Sequence, residues 1–152
     1  MKLTTAFAFL LLISCGAEVH HDASAPEELP LQGTWRLLSG TLIEKGDTTV
    51  TDYSKNVSFI KIINPTHFSF LQHDLKKGKD STAVFVAGGG RYSLKDSIYT
   101  EHLEYCSARE WEGNDFSFTV TIRNDTLTQS GTEKVAGTGI NRVNIERYVR
   151  LK

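Results

Sequence analysis

Cysteine is scarce in this sequence. Only Cys15 and Cys106 occur in 152 residues, which excludes the disulfide-dense scaffolds of small secreted domains. Basic charge is not in surplus either, because 17 lysines and arginines face 18 aspartates and glutamates. A chain so balanced carries no electrostatic footprint for nucleic acid or for an anionic bilayer. No apolar run reaches the ~20 residues that a membrane-spanning helix needs, and a long apolar stripe at helical spacing is missing. A phosphate-binding glycine loop, a paired-cysteine signature and a nucleophile with its base and orienting group are also missing. His67 and His73 form a His-x5-His arrangement with both rings on one face of a strand, too far apart to share a metal without a third ligand. No catalytic residue, cofactor or metal is therefore expected.

What is there begins with MKLTTAFAFLLLISCG. One basic residue, Lys2, precedes an apolar run from Ala6 to Ile13 and then small residues, the pattern of a secretory signal. Leu12-Ile13-Ser14-Cys15 resembles the lipobox of bacterial lipoproteins. That resemblance implies removal of residues 1–14 and acylation of Cys15 as the mature N-terminus. Several acyl chains would then hold the protein on a membrane, where one chain gives only marginal binding. The implied location is the bacterial cell envelope, at the outer membrane. Loss of residues 1–14 removes one lysine and no acid, leaving 16 basic residues against 18 acidic and a formal charge of −2. With Cys15 lipidated, Cys106 has no internal disulfide partner and reads as a small, partly buried apolar residue. Residues 15–30 lack apolar periodicity and read as a flexible tether; His20-His21-Asp22 within them reads as solvated tail.

Residues 31–152 are the right length for one domain with one core, and period-2 alternation runs through nearly all of it. Expected strands cover 33–43 and 47–53, then VSFIKII (57–63) and HFSFLQH (67–73) around the tight turn Asn64-Pro65-Thr66. Others cover 82–94, 97–107, 116–124, 126–131 and 143–152, with AREWEGND (108–115) holding at most one helical turn. Short connections between about eight strands predict an all-β, antiparallel up-and-down barrel, whose closure removes exposed edges. A sandwich is the alternative.

The stretch YTEHLEY (99–105) is the richest in chemistry. With Leu94-Lys95-Asp96-Ser97 as a two-residue hairpin, Tyr92 opposes Tyr99 and Gly90 opposes Glu101. Alternation then turns Val84, Val86, Tyr92, Leu94, Tyr99, Glu101, Leu103 and Tyr105 inward, with His102 and Glu104 facing water. An interior carboxylate at Glu101 needs donors or a cation, or it carries a raised pKa. Gly88-Gly89-Gly90 marks either a barrel corner or space for a ligand. Phe116, Phe118, Val120 and Ile122 also turn inward. In the last strand Val143, Ile145, Val149 and Leu151 share a face with Arg147, a candidate partner for Glu101 or for a ligand anion; a bulge would instead bring in Tyr148 and Arg150. His67 lies on the Glu101 face in odd register, whereas Phe68 and Phe70 take that face in even register.

Gly33-Thr34-Trp35 at the start of the first strand, with an arginine in the last, resembles the lipocalin pattern. The resemblance implies that Trp35 plugs one barrel end, with Arg147 or Arg150 packed across it. GTWRLLS, KIINPTHFSF, GGGRYSL and YTEHLEY, spread over about residues 32–151, resemble a lipocalin-like family of unassigned function in lipoproteins and secreted proteins of Bacteroides-type bacteria. The chain departs from that pattern at Asn64 and at its closing Tyr148-Val149-Arg150. The resemblance implies a calycin-type barrel and no particular substrate.

The expected function is binding of a small hydrophobic or amphipathic molecule inside a tethered barrel. Tyr92, Tyr99, Tyr105, Phe116 and Phe118 would line the interior, with Glu101, Arg147 and His67 as polar contacts. Two alternatives stand beside it. One is an enzyme using Glu101 with a tyrosine or His67 as acid and base. The other is a filled barrel whose outer surface meets an envelope protein.

Overall fold

The computed structural model describes residues 30–152; the signal sequence, Cys15 and His20-His21-Asp22 lie outside the described residues. Alternating apolar and polar side chains give nine strands: β1 Gly33–Glu44, β2 Asp47–Asp52, β3 Val57–Ile63, β4 His67–Asp74, β5 Phe85–Lys95, β6 Ile98–Cys106, β7 Asp115–Arg123, β8 Thr126–Val135 and β9 Ile140–Arg150. One 3-10 turn, Arg109–Trp111, interrupts them. Every neighbouring pair is antiparallel, and β1 pairs with β9 to close the sheet. The fold is a closed antiparallel barrel, and the sandwich is excluded.

Nine strands make eight staves. β2 pairs with Ser39–Glu44 of β1, and β3 pairs with Gly33–Arg36 along the same side. They are two halves of one broken strand, bridged by Tyr53 N–H donating to Leu38 O at 2.9 Å. Local chemistry makes the break: the Asp52 carboxylate accepts from Ser54 N at 2.9 Å, and Asn56 has φ 63°. These are turn-forming preferences of Asp and Asn that compete with a continuous ladder. β8 and β9 extend beyond 131 and before 143, meeting at a hairpin around Gly137 and Gly139, both at positive φ.

The β5–β6 hairpin turns one residue later than the alternation suggests, with Lys95 opposite Ile98 and Asp96 at φ 56°. Tyr92 therefore opposes Glu101, and Gly90 opposes Leu103. The slip is two residues in register sum, so inward and outward faces are preserved. A bulge beside Gly89 and Gly90 then reverses the end of β6. Past it Tyr105 points outward, 69% exposed, and Cys106 packs against the core.

The core is densest where β1 begins and β9 ends. Trp35, Leu37, Leu127 and Tyr148 have no exposed surface there, and Leu31 and Ile63 close around them. The opposite end, where β1, β6 and β8 finish, is open.

Candidate functional site

The barrel's filled end is built on Trp35. Its indole N–H donates to Leu31 O at 2.8 Å, and the Arg150 guanidinium lies 4.0 Å from the ring centroid. Arg150 also donates to Gln32 O at 2.6 Å and to Pro30 O, tying the start of the domain to its last strand. Gly33 is required at this crossing. Its φ is +138°, and an added Cβ would stand 2.5 Å from Arg150 Nη1, so both conformation and space favour glycine.

Above this plug the interior turns polar. Lys61, on β3 between inward-facing Phe59 and Ile63, donates from Nζ to Glu101 Oε1 at 2.6 Å and to Gln129 Oε1 at 3.0 Å. The same ammonium sits 5.4–5.8 Å from the ring centroids of Phe68, Tyr99 and Tyr148, a cation–π environment that offsets part of its desolvation. Gln129 Nε2 and Tyr148 OH both donate to Glu146 Oε2 at 2.7 Å. Burial raises the Glu101 pKa, and the Lys61 charge opposes the rise. Burial, then the Glu146 charge, pushes the Tyr148 hydroxyl well above the ordinary phenol range, so it stays a donor. Burial and the Glu101 charge push Tyr99 the same way. The Tyr99 hydroxyl lies beside the Glu101 carboxylate, yet it makes no hydrogen bond of good geometry with any described group.

Between this layer and the open end is a cavity of about 300 Å³. Phe59, Phe70, Leu103, Phe116, Phe118 and Trp111 form its apolar wall, and Lys61, Glu101, Gln129, Glu146 and Tyr148 its polar floor. At the mouth, Glu133 accepts from Arg142 Nε and Asn144 Nδ2, both at 2.7 Å, and the Arg142 guanidinium is 5.3 Å from the Trp111 ring centroid. An apolar wall with a few fixed polar groups is the usual construction of a small-molecule site.

The structure places the residues singled out from the sequence in three groups. Glu101, Phe116 and Phe118 line the cavity. Tyr92 and Tyr99 face inward below it, their ring centroids 5.3 Å apart, with Tyr92 OH donating to Asn64 O at 2.9 Å. Tyr105, His67 and Arg147 are on the outside. The bulge in β6 turns Tyr105 out. His67 pairs with Arg91 in even register, which gives the inner face to Phe68 and Phe70. Arg147 is exposed because β9 presents Arg142, Asn144, Glu146, Tyr148 and Arg150 inward, and the partner expected of it at Glu101 is Lys61.

The glycines of β5 make a tight crossing, and they also line a second, more open pocket with His67, Ser69 and Tyr105, apart from the cavity that Glu101 lines. The Phe70 ring covers Gly88, and a methyl group on Gly90 would collide with the backbone of His102 and Glu104.

Lys61, Gln129, Glu133, Arg142, Asn144 and Glu146 were not anticipated as site residues. Lys61 left a readable signal, a cation sharing parity with Phe59 and Ile63 in VSFIKII. The residues of β9 left none, since the apolar side of that strand, Val143, Ile145 and Val149, faces out and is only half-buried. Among the described residues no cluster of three or more His, Cys, Asp or Glu side chains is arranged to hold a metal ion. No protein-family model matches the chain, and no curated protein matches it in sequence.

Proposed function

We propose that this protein is a small-molecule carrier of the bacterial cell envelope, a lipocalin-like barrel tethered through an acylated Cys15 that takes an apolar or amphipathic ligand into its open end. The observation that carries the binding reading is the half-empty interior. One end of the barrel is filled by its own side chains, while the other keeps about 300 Å³ between aromatic walls and a hydrogen-bonded polar floor. A cavity lined this way gains from apolar burial along the wall and gains orientation from the floor. The same geometry does not favour Glu101 as an acid or base, because Lys61 and the surrounding burial already engage it. The tether and location rest on the lipobox-like Leu12-Ile13-Ser14-Cys15.

Native mass spectrometry of the full chain carrying Cys15→Ser, isolated without detergent from its own host, tests the binding reading. A reproducible bound small molecule, lost when Leu42→Trp fills space at Leu42, a cavity-lining residue near the end of β1, is the expected result. A clean ligand-free mass together with no uptake of hydrophobic dyes would sink it. Membrane fractionation tests the tether: Cys15→Ala should release the protein, and firm retention would count against acylation there.

A further inference from the structure

We infer that the ligand carries a protonated amine at one end of an apolar or aromatic body, with the Glu146 carboxylate as its counter-ion on the cavity floor. The inference rests on the carrier reading and adds the chemistry of the head group.

The charges around the cavity do not cancel. Two cations, Lys61 and Arg142, and three carboxylates, Glu101, Glu133 and Glu146, line it. Glu101 is held by Lys61 at 2.6 Å and Glu133 by Arg142 at 2.7 Å. Glu146 has no lysine, arginine or histidine nitrogen within 4.0 Å among the described residues. Its donors are neutral, the Gln129 amide and the Tyr148 hydroxyl, and both take Oε2. Oε1 accepts from no described group, and Glu146 lines the cavity. A carboxylate in partly desolvated surroundings without a cation is the missing half of an ion pair.

One further feature fits the same occupant. The negative field of Glu146 acts on Tyr53, Tyr99 and Tyr148, adding to the effect of burial in raising all three. A carboxylate head group would meet Glu101 and Glu146 at the floor, with the Lys61 charge already taken up by Glu101. At the mouth, the Arg142 charge is likewise taken up by Glu133.

Isothermal titration calorimetry with three probes of one shape decides the matter, using the full chain carrying Cys15→Ser at neutral pH without detergent. The probes are tryptamine, tryptophol and indole-3-propionate, which share the indole and its two-carbon arm. Tryptamine should bind at least about tenfold more tightly than the other two, and Glu146→Gln should remove that advantage while leaving tryptophol within about twofold. Equal affinity for all three, a preference for the acid, or a tryptamine affinity unchanged in Glu146→Gln would overturn the amine assignment and leave the carrier reading standing. Absence of binding by all three, with no uptake of a hydrophobic dye, would remove both. Should Glu146→Gln fail to fold, judged by near-ultraviolet circular dichroism, the order of the three probes on the otherwise unchanged chain still decides.

Discussion

The two ends of the barrel are made from the same strands and the same alternation, yet they differ in what fills them. At the Trp35 end, large side chains and one arginine meet across the axis and leave no exposed surface on Trp35, Leu37 or Leu127. At the other end, the inward positions hold Glu133, Arg142, Asn144 and Glu146 beside phenylalanines, and a cavity remains. A buried charge demands partners of fixed geometry and cannot collapse to fill space as a leucine does. The first end supplies stability and the second keeps the space that the proposed carrier function needs, with the Lys61–Glu101 pair as the boundary between them.

The comparison breaks most clearly at the plug. Trp35→Ala should cost about 3–5 kcal/mol, the range for removing a large buried aromatic, measured by denaturant unfolding; a loss below ~1 kcal/mol would mean that the plug does not hold the barrel. At the boundary, Lys61→Met should cost about 3–5 kcal/mol by stranding Glu101, whereas Lys61→Met combined with Glu101→Leu should recover most of it. The sign with pH follows from the raised folded pKa of Glu101. The folded state keeps this proton to higher pH than the unfolded chain, so the group favours folding most at acid pH, and that contribution falls as pH rises through the carboxyl range. Lys61→Met should accordingly lie closest to the parent protein at acid pH and fall away from it on going to neutral. A cost independent of pH would show that packing, not charge, dominates there.

Smaller effects sharpen the contrast between neighbouring residues. Arg150→Ala should lose about 1–3 kcal/mol through its cation–π contact and its hydrogen bonds to Gln32 and Pro30, while Arg147→Ala, on the outer face three residues earlier, should change stability by less than ~0.5 kcal/mol and leave ligand uptake intact. Equal losses would argue that β9 presents the other face. The smallest expected effect is at the open end, where the Asp74 carboxylate accepts from the N–H groups of Gly78, Lys76 and Val84 and is held below the usual carboxyl range, chiefly by Gly78. That local stability is present above the ordinary carboxyl pKa and is lost as pH falls through the depressed one. Amide exchange at Gly78, corrected for intrinsic rates, should speed up in acid; Asp74→Asn should show weaker protection already at neutral pH.

Much of the barrel was legible because alternation is local. Phe116, Phe118 and Val120 read correctly as inward because each is apolar and its neighbours are not. Glu101 and Tyr99 also read inward, despite a two-residue error in the hairpin register, since an even slip changes partners but not faces. Tyr105 failed at a bulge, which reverses faces without leaving a hydrophobic mark. Arg147 failed for the opposite reason: the interior face of β9 is the polar one, so hydrophobicity pointed the wrong way. The break between β2 and β3 had turn-forming residues to announce it, but their shared stave depends on pairing with β1.

By itself the sequence determined a set of short antiparallel strands, the inward apolar faces of β6 and β7, and a tryptophan and an arginine at the two chain ends of the domain, while the pairing of β1 with β9 closed the barrel. These follow from period-2 burial and turn chemistry, which act over a few residues. Only the tertiary structure decided that Lys61 would find Glu101 forty positions away, that Gln129 would join Lys61 to Glu146, and that one end would stay hollow. Those outcomes depend on how eight staves close around one axis, where the balance of side-chain volume and charge is set by residues that no local pattern relates.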